Sequence, residues 1–390
     1  MPIMARIPAA FRPGAGEAAD APSLDIADML LLSGAAEAAA EEFRCAARKG
    51  SVTATYELGV LYEKGEGVPR DESEAVRLYR TAAEKGLLAA MHNLAVMYRK
   101  GLGVPKDDAE AVRWGRAAAE CGYVPAMHNL GVSYDSGVGV SRDEMEALYW
   151  FRAGADAGDA NSMYSVGIMY GGGRGVEKDG VEAARWYRAA AGLGHAASMN
   201  SLGICYYFGD GVPRSDSEAV RWYHAAAELG HAPAMENLGD MLLGGYGVTQ
   251  SDGDAARWFR SSADRGNERA MYKLGHLYLF GRGVELNEAE ALRCYRSAAE
   301  KGLPDAMLLL GDCYFEGRGV LRNPAEGVQW YHAAAAAGDA TAMYNLGISY
   351  ENGEGVAQDR SLAMRWYAAA ASSGNEEIVA ELKRRGIAVP

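Results

Sequence analysis

Residues 87–122 read LLAAMHNLAVMYRKGLGVPKDDAEAVRWGRAAAECG, and the fold follows from this stretch. Its first third puts Ala90, Met91, Leu94, Ala95 and Tyr98 on one stripe, the i, i+1, i+4, i+5, i+8 spacing of a helix face. We call this helix A; the small residue after its leucine admits a second backbone at close range. Gly101-Leu-Gly-Val follows, and glycine at both ends of a three-residue stretch serves left-handed conformations in a tight connection. Asp107 then stands where a helix N-cap belongs, and Glu110 lies at capping-box distance from it. Helix B carries Trp114 and a pair of alanines, and Gly122 ends it as a C-terminal glycine.

The pattern recurs nine times from Ser51 to Gly374 with a period of 36 and no insertion or deletion. The helix A slots hold Ala126, Met127, Leu130, Gly131 and Tyr134 in the next copy, and Ala342, Met343, Leu346, Gly347 and Tyr350 in the last. The N-cap slot holds Asp71, Asp107, Asp143, Asp179, Ser215, Ser251, Asn287, Asn323 and Asp359, all of which satisfy orphan helix N–H groups. Three positions on, eight of the nine copies are acidic, so these carboxylates are read as structural. Helix B carries an aromatic pair such as Trp150–Phe151 or Trp366–Tyr367; in the second copy Trp114 stands beside Gly115. A fixed period in this range marks a solenoid, whose units share one continuous core. A phosphate-cradling role for the Gly-x-Gly-Val turns is excluded, because none of the nine leads out of a strand.

Composition narrows the function classes. The chain has 390 residues and a formal charge of −13, so it lacks the bulk positive field of a nucleic-acid binder. Cys45, Cys121, Cys205, Cys294 and Cys313 form no constant pair per repeat, which fits a reducing compartment and a cytoplasmic location. Only Cys294 and Cys313 fall on neighbouring helices. Residues 1–22 read as a flexible N-terminal tail without signal-peptide form, and no run is long enough for membrane insertion.

The string A-M-x-N-L-G-x-x-Y-x-x-G-x-G-V-x-x-D, seen at Met127–Tyr134 with Gly137–Asp143, resembles the Sel-one-like repeat family. The resemblance covers residues 51–374 as nine repeats. It implies an all-α, right-handed α/α superhelical solenoid related to tetratricopeptide repeats. Residues 23–50 read as an N-terminal capping region, with Phe43, Ala46, Ala47 and Gly50 in helix B register; residues 375–390 read as a C-terminal capping helix. The function implied is a non-catalytic scaffold or adaptor that binds a protein or extended peptide. Cysteine-rich secreted relatives assigned β-lactamase activity make a hydrolase the runner-up, although the regular cysteine pair is lacking here. An exported interaction factor that leaves the cell without a standard signal is a third reading.

Departures from the repeat are where a site is expected. By the same resemblance helix A lines the concave surface, and one of its groove slots holds Asn93, Asn129, Asn237 and Asn345, with Ser165 and Ser201 between them. An asparagine donates and accepts at once, which suits sequence-tolerant holding of a peptide. Two later slots hold Glu63–Lys64, Arg99–Lys100, Asp135–Ser136, Gly171–Gly172 and Glu351–Asn352 in repeats 1–4 and 9. In repeats 5–8 they become Tyr207–Phe208, Leu243–Gly244, Leu279–Phe280 and Phe315–Glu316, and repeat 8 adds Leu308 and Leu309. Facing outward, these residues would make an apolar stripe and a partner surface. The other reading is packing against a tighter superhelix or a homo-oligomer mate.

Nothing else calls for chemistry. Two arginine columns on helix B, Arg77 to Arg365 and Arg80 to Arg296, have acids three before the first and four after the second, the pattern of a solvated face. The histidines repeat slot by slot (His92 and His128, His195 and His231, His224 and His332), about 10 Å apart by helix spacing for one repeat and more for the last pair, too far to share an ion. The reading calls for no catalytic residue, no cofactor and no metal.

Overall fold

The computed structural model describes residues 21–387, and every regular element among them is an α-helix, 21 in all. The expected tail at 1–22 falls almost wholly outside the described residues; a helix begins at Ala21. Nine tandem pairs of helices A and B follow one another as an α/α solenoid, most of them 13 residues long, as in Leu88–Lys100 and Asp108–Glu120. They divide into two compact units, Met1–His195 with repeats 1–4 and Ala196–Pro390 with repeats 5–9. Within each unit, every helix pair packs on the next.

Local chemistry explains the pairing. Helix A of repeat 2 ends at Gly101 in the left-handed region, with φ 68°. Gly103 fills a second need, because a Cβ there would lie 2.7 Å from the Ser73 backbone nitrogen in the preceding helix B. Only hydrogen fits, so this glycine sets how closely one repeat approaches the last. Asp107 caps helix B by accepting from the Ala109 and Glu110 N–H groups, each at 3.0 Å. Its own N–H donates to the Tyr98 carbonyl, also at 3.0 Å, and the equivalent bond recurs in all nine repeats.

That last bond corrects the capping-box expectation. The N-cap N–H is already satisfied by helix A, so the acid three residues on is free to turn elsewhere. Glu110 takes Arg113 at 2.7 Å, and Glu74, Glu182, Glu218, Asp254 and Glu290 take the arginine one turn on in the same way. The second arginine column differs too. Arg80, Arg116 and Arg296 each donate at 2.5 Å to a tyrosine hydroxyl of the next repeat (Tyr98, Tyr134 and Tyr314) instead of pairing with the acid four residues on.

The core is a hole-and-ring device. The glycine of helix A faces the second aromatic of helix B so closely that a Cβ on Gly131 would lie 2.6 Å from the Phe151 ring. Tyr79, Phe259, Tyr295 and Tyr367 are the fully buried versions of that ring. The tryptophan before it is not uniformly core: Trp114 and Trp150 are buried, whereas Trp186, Trp258, Trp330 and Trp366 pack half-buried at the margins of the clusters. At one end Ala36–Arg48 buries Phe43 and Ala46 in helix B register. At the other, Glu376–Arg384 seats Ile378 and Leu382 on Tyr367 and Ala370. All five cysteines are free, including Cys294 and Cys313.

Candidate functional site

Helix A of repeats 5–7 (Ala196–Phe208, Ala232–Gly244 and Glu268–Phe280) gathers most of the departures. Two asparagines of the slot reach back to helix A of the preceding repeat. Asn93 donates to the Tyr56 hydroxyl at 3.3 Å, one repeat back, and Asn237 donates to the side-chain amide oxygen (Oδ1) of Asn200 at 2.9 Å. In repeat 7 the same slot holds Lys273, whose ammonium bridges Glu236 and Asp240 at 2.6 Å each. Asn267 donates to the other Glu236 oxygen at 3.0 Å, so this buried carboxylate is held on both sides. Asn129 and Asn345 are half-buried, like Asn93 and Asn237.

The apolar stripe resolves into two classes. Tyr207 and Leu243 pack on the core of repeats 5–7, Leu279 and Leu309 on that of repeats 7–8, and Leu308 and Phe315 on that of repeats 8–9. All six are half-buried. Phe315 stacks on Tyr331 with ring centroids 5.1 Å apart and lies over Gly327, where every other repeat has alanine. Phe208 and Phe280 are the exposed members, at 71% and 59%. Between them in chain order stands a residue that the slot comparison missed. Tyr246, 50% exposed, folds over Gly244, a Cβ on which would lie 2.6 Å from its Cδ2 and closer still to Cε2. Exposed aromatics thus stand at the C-terminal end of helix A, Phe208 and Phe280, or in the turn just past it, Tyr246, in three consecutive repeats.

Charge accompanies them. One helix A slot holds Val60, Val96, Val132, Ile168, Ile204 and Ile348 in repeats 1–5 and 9, but Asp240, His276 and Asp312 in repeats 6–8. Burial pushes the Asp240 and Asp312 carboxyls up, with Lys273 and the Tyr331 hydroxyl opposing it through hydrogen bonds. Burial pushes the His276 imidazole down, and its ring stacks against Phe280 at 6.0 Å.

Residues 52–87 through 340–375 match the Sel1 repeat family model in nine consecutive copies. The chain belongs to the Sel1 repeat family. Two Sel1-type solved structures are similar to it. A structure described as c5321, a protective antigen present in uropathogenic Escherichia coli strains displaying an SLR fold, is 35% identical, with a TM-score of 0.71 over 94% of this chain and 80% of that one. A Sel1 repeat protein from Oxalobacter formigenes is 30% identical, with a TM-score of 0.58 over 62% of this chain and 97% of that one. No curated protein matches the chain. Solenoids of Sel1 repeats generally mediate protein–protein interaction.

One Sel1 repeat junction brings together residue types that chemistry uses. Ser162 Oγ lies 3.4 Å from His128 Nδ1 and donates to Asp159 at 2.5 Å, while His128 stands 3.9 Å from the same carboxylate. A nucleophilic serine must give its proton to the histidine and face a substrate. Ser162 is instead fully buried, and Asp159 also accepts from its backbone N–H at 2.7 Å, which caps Ala160–Gly172. The trio closes a helix start. Among the described residues no group of three or more His, Cys, Asp or Glu is placed to hold a metal ion. No described helix is long and apolar enough to cross a membrane.

Proposed function

We propose that this Sel1 repeat protein is a non-catalytic scaffold that holds a protein or extended peptide on the helix A face of repeats 5–8. The observation that carries the reading is the set of exposed aromatics Phe208, Tyr246 and Phe280 in repeats 5–7, which also hold the Glu236–Lys273–Asp240 network. Large aromatics exposed on a rigid helical frame bury much area at little entropic cost, and aromatics dominate the binding energy of most interfaces. The polar residues of that network supply orientation. Leu309 packs on the core of repeats 7–8, and Phe315 and Leu308 on that of repeats 8–9, so these three serve the fold beneath the exposed members.

The test is recovery of partners by wild type against Phe208→Ser with Phe280→Ser. Both side chains are exposed, so the variant keeps its melting temperature, and a partner that depends on this face disappears. An unchanged partner set with intact folding would sink the reading. A second reading, an exported interaction factor, draws on the description of the E. coli relative as a protective antigen. Native protein in the culture medium without cell lysis supports it.

A further inference from the structure

The ring that defines the core is missing from one repeat. Eight repeats carry Tyr79, Phe151, Tyr187, Tyr223, Phe259, Tyr295, Tyr331 or Tyr367 there, and repeat 2 carries Gly115. A Cβ on Gly115 would meet only the Ala95 Cβ, at 3.9 Å. Ala95 stands where the other eight repeats have glycine, so its methyl refills part of the lost volume. A cavity of about 20 Å³ remains, floored by Ala95, Val112 and Leu130. That is room for a water or a group of methyl size, without moving any wall.

Two further departures converge on its mouth. His92 lacks the ring that its counterparts pack against (Tyr56–Tyr79, His128–Phe151 and Tyr344–Tyr367 lie 5.6, 5.5 and 5.7 Å apart) and packs on Tyr123 at 5.4 Å instead, which leaves its hollow-side face without a ring. In repeats 1 and 9 the carboxylates of Glu63 and Glu351 receive the hydroxyl of the ring at 2.6 Å. Repeat 2 has neither the ring hydroxyl nor a carboxylate at that slot, but Arg99. Its guanidinium donates to Ser133 Oγ at 2.6 Å, and Ser133 in turn donates to the Asn129 carbonyl at 2.9 Å. Among the described residues Arg99 has no carboxylate partner, and the Asn129 side-chain amide has no hydrogen bond.

We propose that repeat 2 is a receptor for one small aliphatic side chain of a partner protein, presented beside an acidic residue. One methyl of that side chain enters the hollow left by the absent ring, and the rest of it stays at the mouth. The carboxylate is received by Arg99, with the Asn129 amide as second donor, a charge-assisted arrangement that an apolar hole alone would not offer. The hollow discriminates by size, because a ring would need the walls to move. This contact lies in the Met1–His195 unit and stands or falls independently of repeats 5–8.

The full chain, labelled at alanine, valine and leucine methyls, is titrated with the peptide acetyl-Gly-Val-Asp-Gly-amide, with its Asn counterpart and with free isobutyrate. Expected are saturable shifts of the Ala95, Val112 and Leu130 methyls with the Asp peptide. Binding should be about tenfold weaker with the Asn peptide or with Arg99→Gln, the worth of one charge-assisted hydrogen bond. Gly115→Phe should abolish the shifts; Arg99→Gln, an edge residue, keeps the test valid if the Phe variant misfolds. Absence of saturable shifts, equal shifts by the Asp and Asn peptides, or shifts that survive in folded Gly115→Phe would overturn the proposal. Isobutyrate binding as tightly as the Asp peptide would overturn it as well, since the hollow would then serve a free acid.

Discussion

Replacing Gly327 with alanine offers a decisive reading of the core, because its effect should change sign with the residue at 315. Gly327 lies inside helix B of repeat 8, Pro324–Ala336, where alanine is favoured over glycine by up to about 1 kcal/mol. A Cβ there would nevertheless lie 2.7 Å from Phe315 Cε2 and 3.0 Å from the Gly311 carbonyl oxygen. The Phe315 ring has little room to retreat, since it is stacked on Tyr331 at an interplanar angle of 19°. Overpacking of this kind costs about 1–3 kcal/mol, so Gly327→Ala should destabilise wild type by about 1 kcal/mol net. Repeats 6 and 7 show the alternative, with Leu243 and Leu279 at the Phe315 slot and Ala255 and Ala291 at the Gly327 slot. In a Phe315→Leu background, therefore, Gly327→Ala should stabilise by up to about 1 kcal/mol. The two backgrounds then differ by about 2 kcal/mol, within the range of coupling between touching residues. Urea unfolding of the four proteins measures it. The same sign in both backgrounds would refute the claim that Phe315 and Gly327 are one packing unit.

Other perturbations follow from the same contacts. Gly115→Ala, with open space around its Cβ, should stabilise the fold by about 1 kcal/mol, opposite in sign to Gly327→Ala, and a melting curve decides it. Asp107→Ala removes a cap that accepts two backbone N–H groups and should cost about 1 kcal/mol in urea unfolding. Lys273→Met strands the Glu236 and Asp240 carboxylates and should destabilise at pH 7 by about 1–3 kcal/mol. The deficit should shrink as pH falls through the raised Asp240 range, and a pH-independent deficit would count against the ion network. Burial lowers the pKa of His92, His128, His195, His276 and His332. The unfolded chain thus binds protons first, so stability holds above about pH 6.5 and falls as pH drops below it. Asp240, Asp312 and Glu57, whose pKa values burial raises, act in the opposite sense at lower pH. The melting temperature should accordingly fall between pH 7 and 5.5; a flat or rising profile there contradicts the buried imidazoles.

What the sequence makes legible is what short-range chemistry determines. The Gly-x-Gly-Val turn, the Asp107-type cap and the helix A stripe act within a few residues, and each appears in the fold where the repeat places it. Contacts across elements were harder to read. Glu110 has capping-box spacing, but the N–H it would serve is taken by the Tyr98 carbonyl, a partner nine residues upstream. Phe315 reads as a surface residue because its slot holds charge in repeats 1–3 and 9; the signal that it turns inward is Gly327, twelve positions on, at the slot where every other repeat carries alanine. Tyr246 lies outside the compared slots and reaches the aromatic row only because Gly244 leaves space for its ring. Asp240, His276 and Asp312 are legible as polar residues in an aliphatic column, but their partners are not: Lys273 for Asp240, the Tyr331 hydroxyl for Asp312 and the Phe280 ring for His276 all lie on other turns or helices.

The central claim, a protein partner on the helix A face of repeats 5–8, is tested most directly by site-specific photo-crosslinking in the native cell. The photoreactive residue p-benzoylphenylalanine is placed at Phe208 and Phe280 and, as controls, at Arg221 and Arg293 on the exposed face of helix B. One and the same protein should be captured from positions 208 and 280 and from neither control. Capture of that protein equally from 221 and 293, or of none from 208 and 280 in folded protein, would contradict it.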